Sequence, residues 1–386
     1  MKTSVFPKFH NLSVEERLQL VQGFSGIDDK EVEILRKPSS IDYTSKNENV
    51  IGVYDKLLKI APNFLINGRD YIVPMVTEEP SVVAAASNGA KLARYGNGFV
   101  SYIVYEGFPR MTSQVQITNV KDTRKALRNL RENKDYLLDS INKEYMRKHA
   151  HGKVDGIRSS VVKTRRGKMI SAQLFVDVED SMGANKANEI AEIAAPYIEK
   201  LTQGKSCLRV VSNLPDKRLF GALVKIPNEK LAKKGWTGEE VSQRIEDASA
   251  FAEANSYRAI TNNKGILNGM CAVAEATGND YRALEAGAHG YASLGGKYKP
   301  LSTWCCYKGE LIGQLTVPMA IGIRGGATEY PKSKLSIKML GVKSSNELGE
   351  IMASVGLANN LAALRELVTD GIQKGHMKIH KETFSG

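Results

Sequence analysis

Between residues 112 and 213 the hydrophobic period of the chain switches repeatedly between two and about 3.6, and no other stretch restricts the fold as tightly. The run "QVQITNV" (114–120) alternates like a strand, and Asp122 to His149 reads as one long charged helix with apolar Leu127, Leu130, Leu137 and Leu138. Two strand-like runs, "VDGIRSSVVKT" and "KMISAQLFVDVED", flank "RRGK", which reads as a hairpin turn. In the second run Ile170, Ala172, Leu174, Val176 and Val178 take every other position, so one face of that strand is buried. A helical run, "GANKANEIAEIAAPYIEKL", and a closing strand, "SCLRVVSN", complete the order β-α-β-β-α-β. That order is the ferredoxin-like split motif, a compact unit set inside a longer chain.

Such a sheet invites an RNA-binding reading, and "YGNGFVSY" (95–102) matches much of the RNP1 pattern. The match lies before the first strand of the unit, whereas RNP1 belongs on an interior strand after the first helix. Val115, Ile117, Leu174 and Val176 occupy the inner strands instead, and a glycine-rich turn entering a strand is the better reading. The net charge of +12 is spread along the 386 residues. It fits a basic solvated surface, a nucleic-acid partner or a polyanionic small ligand such as a nucleotide or coenzyme A, and composition does not choose among them. Apolar runs such as "SVVAAAS" and "LTVPMAIGI" fall well short of a spanning helix, and the N-terminus lacks the apolar core of a signal peptide. The cytoplasm is the default. Cys207, Cys271, Cys305 and Cys306 show no CxxC spacing and argue against a disulfide framework.

Several stretches carry candidate chemistry. "PMVTEEPSVVAAAS" (74–87) sets Glu78 and Glu79 directly before Pro80 and a run, Val82 to Ala86, without a polar residue. A helix starting at Pro80 would be apolar all round and therefore buried. The two acids are either capping groups favoured by the helix dipole, or one is a proton donor whose burial raises its pKa. In "DVEDSMGANKAN" (177–188) a strand ends near Asp180, a small-residue turn follows and a helix begins. Backbone N–H groups at such a junction can hold a pyrophosphate, although the run is not G-x-G-x-x-G and such turns are common. "SYRAITNNKGILNGM" (256–270) surrounds Lys264 with Asn262, Asn263 and Asn268. An ammonium among fixed amides can stabilise an oxyanion, and a surface lysine in a glycine-rich loop is the plain alternative. "EATGNDYRALEAGAHGYA" (275–292) presents Asp280 as the cap of a small-residue helix. "GIQKGHMKIH" places His376 and His380 one helical turn apart. A zinc pair would need further ligands that the neighbourhood lacks, so no metal is expected, and a general acid poised near neutral pH is the other use of a histidine.

The stretches "ENVIG" (48–52), "NGRDYIVPMVTEEPSVVAAAS" (67–87), "DSMGAN" (180–185), "NNKGILNG" (262–269), "ATGNDYRA" (276–283) and "GIQKGHM" (371–377) together carry a resemblance. In order and spacing they resemble class II 3-hydroxy-3-methylglutaryl-coenzyme A (HMG-CoA) reductases, the soluble type without a membrane anchor. The resemblance covers essentially the whole chain. It implies an α+β fold in which a large α-rich substrate-binding domain, residues 1–110 and 214–374, is interrupted by a ferredoxin-like dinucleotide-binding domain at 111–213. Residues 375–386 would begin a C-terminal flap that is otherwise absent. A cytoplasmic homodimer or higher homo-oligomer is implied, with active sites at the subunit interface and neither nucleic acid nor membrane as partner.

The implied activity is the NAD(P)H-dependent reduction of HMG-CoA to mevalonate and coenzyme A, or the reverse, through a bound mevaldyl-CoA hemithioacetal and mevaldehyde. Glu79 matches the family's catalytic glutamate, which supplies a proton to the carbonyl oxygen, and Lys264 matches the lysine that stabilises the oxyanion. Asp280 matches the aspartate that joins both in one network and tunes their pKa values. His376 matches the histidine that protonates the departing thiolate. Ser81, Arg258 and Asn268 match contacts to the hydroxymethylglutaryl portion, and His380 matches a coenzyme A contact. Asp180, Met182, Gly183, Asn185 and Asn213 match dinucleotide contacts, while Gly325 and Gly326 fall where the backbone approaches the nicotinamide. Asp135 matches an acid associated with the adenine ribose 2′-hydroxyl and favours NADH, whereas Lys186 and the basic surface could accept the 2′-phosphate of NADPH. The chain departs from the family pattern at Ser181 and Lys186, and in "HGKVDG" (151–156), which lacks the usual glycine run. His10 and Asn359 stand where an arginine and a glutamine are expected near coenzyme A.

Overall fold

A computed structural model describes residues 3–36, 54–104 and 110–371. Helices α1 (Val14–Ser25) and α2 (Asp29–Arg36) precede strands β1 (Leu58–Ile66) and β2 (Arg69–Val76), helix α3 (Pro80–Ala93) and strand β3 (Phe99–Ile103). Next come β4 (Arg110–Thr118), α4 (Thr123–Glu132), α5 (Lys134–Tyr145), β5 (Lys153–Thr164), β6 (Gly167–Asp177), α6 (Ala184–Thr202) and β7 (Lys205–Val211). The chain then runs through β8 (Leu219–Pro227), α7 (Gly238–Ala254), α8 (Ser256–Ala276) and α9 (Tyr281–Ser293). It continues with β9 (Ser302–Tyr307), β10 (Glu310–Pro318), α10 (Pro331–Leu340) and α11 (Ser345–Leu367).

Four strands form a sheet in the order β5-β6-β4-β7, every neighbouring pair antiparallel. The first strand of the β-α-β-β-α-β run thus lies between the third and the fourth, as the split motif requires. Period two on β6 is realised: Ile170, Ala172, Leu174 and Val176 are fully buried and share a core with Ile190, Ala191, Ala194 and Ile198 of α6. The expected single helix from Asp122 to His149 is instead two. Asn133, at φ −103° and ψ 22°, ends α4 and starts α5, and its Nδ2 donates to the Asn129 carbonyl at 2.9 Å. An asparagine side chain competes with the helical backbone for hydrogen bonds, which is why the break falls there.

The second sheet has the order β2-β1-β3-β8-β10-β9 and its own core. The RNP1-like run sits on β3 in this sheet, paired with β1 and β8, and so lies outside the four-stranded unit. Helix α11 packs between α3 and α8 and is buried on nearly all sides from Leu348 to Leu364. The expectation that α3 is buried all round does not hold. Val82, Ala86 and Ala90 face the core, but Ala84 is exposed, because the outer face of the helix borders a cavity rather than another layer.

Candidate active site

Three helix N-termini define the site. At α3 the side chain of Glu79 is the cap and accepts from the Ser81 N–H at 3.2 Å, while the Glu79 N–H donates to Thr77 Oγ1 at 3.3 Å. At α9 the Asp280 carboxylate accepts from the N–H groups of Arg282 at 3.0 Å and Ala283 at 3.3 Å, and pairs with the Arg282 guanidinium at 3.0 Å. Burial opposes the charge on Asp280, yet Arg282 and the two N–H donors outweigh it and hold the carboxyl below its usual range. At α6 the chain turns in from β6 through Gly183, whose φ is +94°. A Cβ there would run into the Val178 side chain, so only glycine brings the helix start this close to the strand.

Two lysines lie at the α3 and α9 ends. Lys56 Nζ lies 2.7 Å from Glu275 Oε1 and 6.0 Å from the Tyr281 ring centroid. The bond to Glu275, with a smaller pull from Glu78, raises the ammonium's pKa against burial. Lys59 Nζ donates to the Thr77 carbonyl at 3.0 Å, and burial lowers its pKa although Glu79 and Glu78 pull the other way.

Two cavities meet beside this cluster, with Glu275 and Ser333 on the walls of both. The first, about 680 Å³, is lined by Met182, Gly183, Asn185, Asp280, Gly325 and Gly326, and by the cations Lys186, Arg282 and Arg324. The second, about 1350 Å³, takes in His10, Arg17, Lys56, Lys59, Pro80 and Lys91. Six of the residues expected in the site are therefore brought together in one cavity.

Other expected residues stand elsewhere. Asp180 pins the turn: its carboxylate accepts from the Ser345 N–H at 2.7 Å and its carbonyl from the Ile323 N–H at 2.8 Å. Asn213 is exposed just past β7 with its carbonyl against Gly287, and Asp135 is exposed in the first turn of α5; neither lines the first cavity. Asn359 is buried and donates to the Val82 carbonyl at 3.0 Å, bracing α11 against α3 without lining either cavity. His376 and His380 lie outside the described residues.

Lys264 sits in the middle of α8, not in a loop. With Tyr257, Thr261, Asn268, Cys271 and Glu275 it forms one stripe, none of it fully buried, at the spacing that places side chains on a single helix face. Arg258 lies beside Tyr257 on the same helix, and burial pulls its guanidinium pKa down. Eleven residues separate Lys264 from Glu275, about 16 Å along the axis, and Lys264 lines neither cavity. The expected Glu79–Lys264–Asp280 network is therefore not assembled within this chain.

Some working residues escaped the sequence reading. Lys56 and Lys59 in "KLLKIAPNF" merged with the generally basic surface, although two lysines at the head of an apolar strand were a usable signal. Asn279 clamps a strap across the turn: its Nδ2 donates to the Gly322 carbonyl at 3.0 Å, and its Oδ1 accepts from the Gly322 N–H at 2.7 Å. Gly322 in turn lies so close to the Met182 nitrogen that a Cβ would not fit. Among the described residues no group of His, Cys, Asp and Glu could hold a metal, and no helix is long and apolar enough to cross a membrane.

An α+β chain whose four-stranded unit offers a glycine-opened helix N-terminus to a cationic cavity, shared with an acid-capped helix of a second core, carries a site suited to a diphosphate-bearing ligand. The hydroxymethylglutaryl-coenzyme A reductase family model matches residues 13–381. The chain is 45% identical to a 3-hydroxy-3-methylglutaryl-coenzyme A reductase of Archaeoglobus fulgidus over 99% of its own length and 87% of that protein's. It is 35% identical to a probable enzyme of the same name from Borreliella burgdorferi, covering 96% and 84% of the two chains. A solved class II reductase from Streptococcus pneumoniae, bound to NADPH in open conformations, superposes with a TM-score of 0.89 at 35% identity, over 95% of this chain and all of that one. The chain belongs to the hydroxymethylglutaryl-coenzyme A reductase family.

Proposed function

We propose that the protein converts HMG-CoA and two reduced dinucleotides to mevalonate, coenzyme A and two oxidised dinucleotides, or runs the reverse reaction. The observation that carries this reading is the first cavity, where the start of α6 and the Asp280 cap of α9 face one space. The dinucleotide fits on physical grounds. Gly183 forms a cradle that a side chain would fill, and Lys186, Arg282 and Arg324 supply positive charge for a diphosphate. Lys186 lines this cavity and Asp135 does not, which supports acceptance of a 2′-phosphate and hence of NADPH alongside NADH. The second cavity, rich in lysine and arginine, suits the phosphates of coenzyme A.

When bound, the reduced nicotinamide supplies the hydride in each of two reductions. The chain's own groups handle charge and protons. Lys264 stabilises the negative charge that develops on the carbonyl oxygen, and Glu79 gives that oxygen its proton. His376 protonates the sulfur of the departing coenzyme A, while Ser81, Arg258 and Asn268 hold the hydroxymethylglutaryl end. Asp280 orients the acid and the ammonium with respect to each other.

Because Lys264 stands far from Asp280 along α8, we read the working unit as a homodimer in which each Lys264 completes the neighbouring subunit's site. The uncovered stripe of α8, with Tyr257 88% exposed and Ile260 49% exposed beside it, supports that reading. We also propose the domain division 1–110 with 214–374 around 111–213, because the two sheets have separate cores, and a cytoplasmic location. Loss of NADPH absorbance on adding HMG-CoA, two equivalents per thioester, tests the function. A full-length protein that consumes neither NADPH nor NADH with this thioester, and forms neither from mevalonate and coenzyme A, would refute it.

A further inference from the structure

Behind the turn that opens α6 lies a buried cation that the chemistry above does not use. Arg218, one residue before β8, is 2% exposed. Its Nη1 donates to the Ser181 carbonyl at 3.3 Å, while Nε and Nη2 have no hydrogen-bond partner. Burial lowers its pKa to about 9, and Asp180 and then Asp177 work against that fall, so it remains charged at neutral pH. A guanidinium is seldom buried with donors unpaired, and one that is asks for a reason beyond packing.

The surrounding charges supply one. The end of β6 and the turn after it carry Asp177, Glu179 and Asp180 immediately before Gly183 and the first N–H groups of α6. An anion approaching that helix start is attracted by the N–H groups and repelled by the acids, and burial screens neither effect well. Asp177 is itself 5% exposed, and its carboxyl is pushed up mainly by that burial. The turn is held by the Ser345 and Ile323 N–H groups and by the closely packed Gly322. Lys153 acts on Asp177 and Lys186 Nζ reaches the Val178 carbonyl at 3.4 Å, while Arg218 is the buried cation that acts on both Asp180 and Asp177.

We propose that Arg218 is a positioning residue for the dinucleotide: it offsets Asp177 and Asp180 and holds the Ser181 carbonyl, so that the start of α6 accepts a diphosphate. The proposal rests on the reading that a reduced dinucleotide occupies the first cavity. Arg218 touches neither dinucleotide nor substrate and acts through the turn. Its charge matters more than its shape, so lysine serves in its place and methionine does not.

The test uses the full chain with Arg218→Met and Arg218→Lys. NADPH affinity is read by fluorescence titration, coenzyme A affinity by calorimetry, and folding by melting temperature. Arg218→Met weakens NADPH binding about tenfold or more while coenzyme A affinity stays within about threefold, and Arg218→Lys recovers most of the NADPH affinity. NADPH affinity unchanged in Arg218→Met overturns the proposal, and so does an equal loss for coenzyme A, which marks a purely structural role. If Arg218→Met does not fold, Arg218→Lys decides. NADPH binding close to wild type upholds the charge-balancing role, and a loss of about tenfold defeats it. A wild-type protein that binds no NADPH refutes the underlying reading instead, and that result appears before any substitution is made.

Discussion

Lys264 and Glu275 lie on one stripe of α8, about 16 Å apart along its axis, with Glu275 at the junction of both cavities and Lys264 near neither. Asp280 follows the C-terminal end of that helix, so a lysine side chain cannot span the gap within the subunit. Subunits carrying Lys264→Ala and subunits carrying Asp280→Asn should each be nearly inactive alone. The Lys264→Ala protein should lose about a hundred- to a thousandfold in kcat while NADPH affinity holds. In the proposed homodimer, co-expression of the two variants leaves half of a random population mixed, and each mixed dimer keeps one intact site. Activity should then return to roughly a quarter of wild type. Mixed dimers as inactive as either parent would show that the two residues act from the same chain.

Glu79 caps α3 and is also the proposed acid, and one substitution separates these roles. Glu79→Gln keeps an oxygen able to accept from the Ser81 N–H, so the melting temperature should barely move. Proton delivery is lost, and turnover should fall by about 10²–10⁴. A variant that unfolds early but retains its turnover per folded molecule would leave Glu79 a cap and nothing more.

Gly183 is where backbone geometry and dinucleotide binding meet. With φ at +94° and Val178 against the position of a Cβ, Gly183→Ala must open the turn between β6 and α6. Strain of this kind costs about 1–3 kcal/mol. The KM for NADPH should rise about tenfold, while coenzyme A affinity, set by the second cavity, stays put. An unaltered KM for NADPH would remove α6 from the binding site.

How much of this was readable depended on whether the chain's own core decided the matter. Period two along β6 reports a buried face, so the four-stranded unit could be read strand by strand. Pro80 likewise marked the start of α3. The break at Asn133 was hidden because apolar residues recur on both sides of it and feed one core. The stripe from Tyr257 to Glu275 mixes apolar and polar groups, and no periodicity distinguishes a face left for a second chain from one left for water. Nothing in "DKRLFG" sets Arg218 apart from a surface charge, since arginine is seldom buried, and only its packing against the 177–183 turn shows otherwise.

Asp70 offers a test of how the N-terminal arm builds the second cavity. Its Oδ1 accepts from the Ser4 N–H at 2.9 Å and the Ser4 hydroxyl at 2.6 Å, and it pairs with Arg94 just after α3. The arm anchored in this way contributes Val5, Phe6 and His10 to the cavity wall. Burial works to raise the Asp70 pKa, but the Ser4 donors and Arg94 together overcome it and leave the carboxyl below its ordinary value. A carboxyl whose folded pKa lies below the unfolded one stabilises the fold above the unfolded pKa, near 3.9, and loses that contribution as pH falls through the folded pKa. Asp70→Asn should therefore lower stability at pH 7 by about 1.5–3 kcal/mol, the range for hydrogen bonds to a charged group. Coenzyme A affinity should fall with it, because the arm is no longer held. The difference in melting temperature between wild type and variant should shrink as the pH is taken below 4. A gap that is constant from pH 7 to pH 3, or that widens in acid, would mean that the ionised Asp70 is not what anchors the arm.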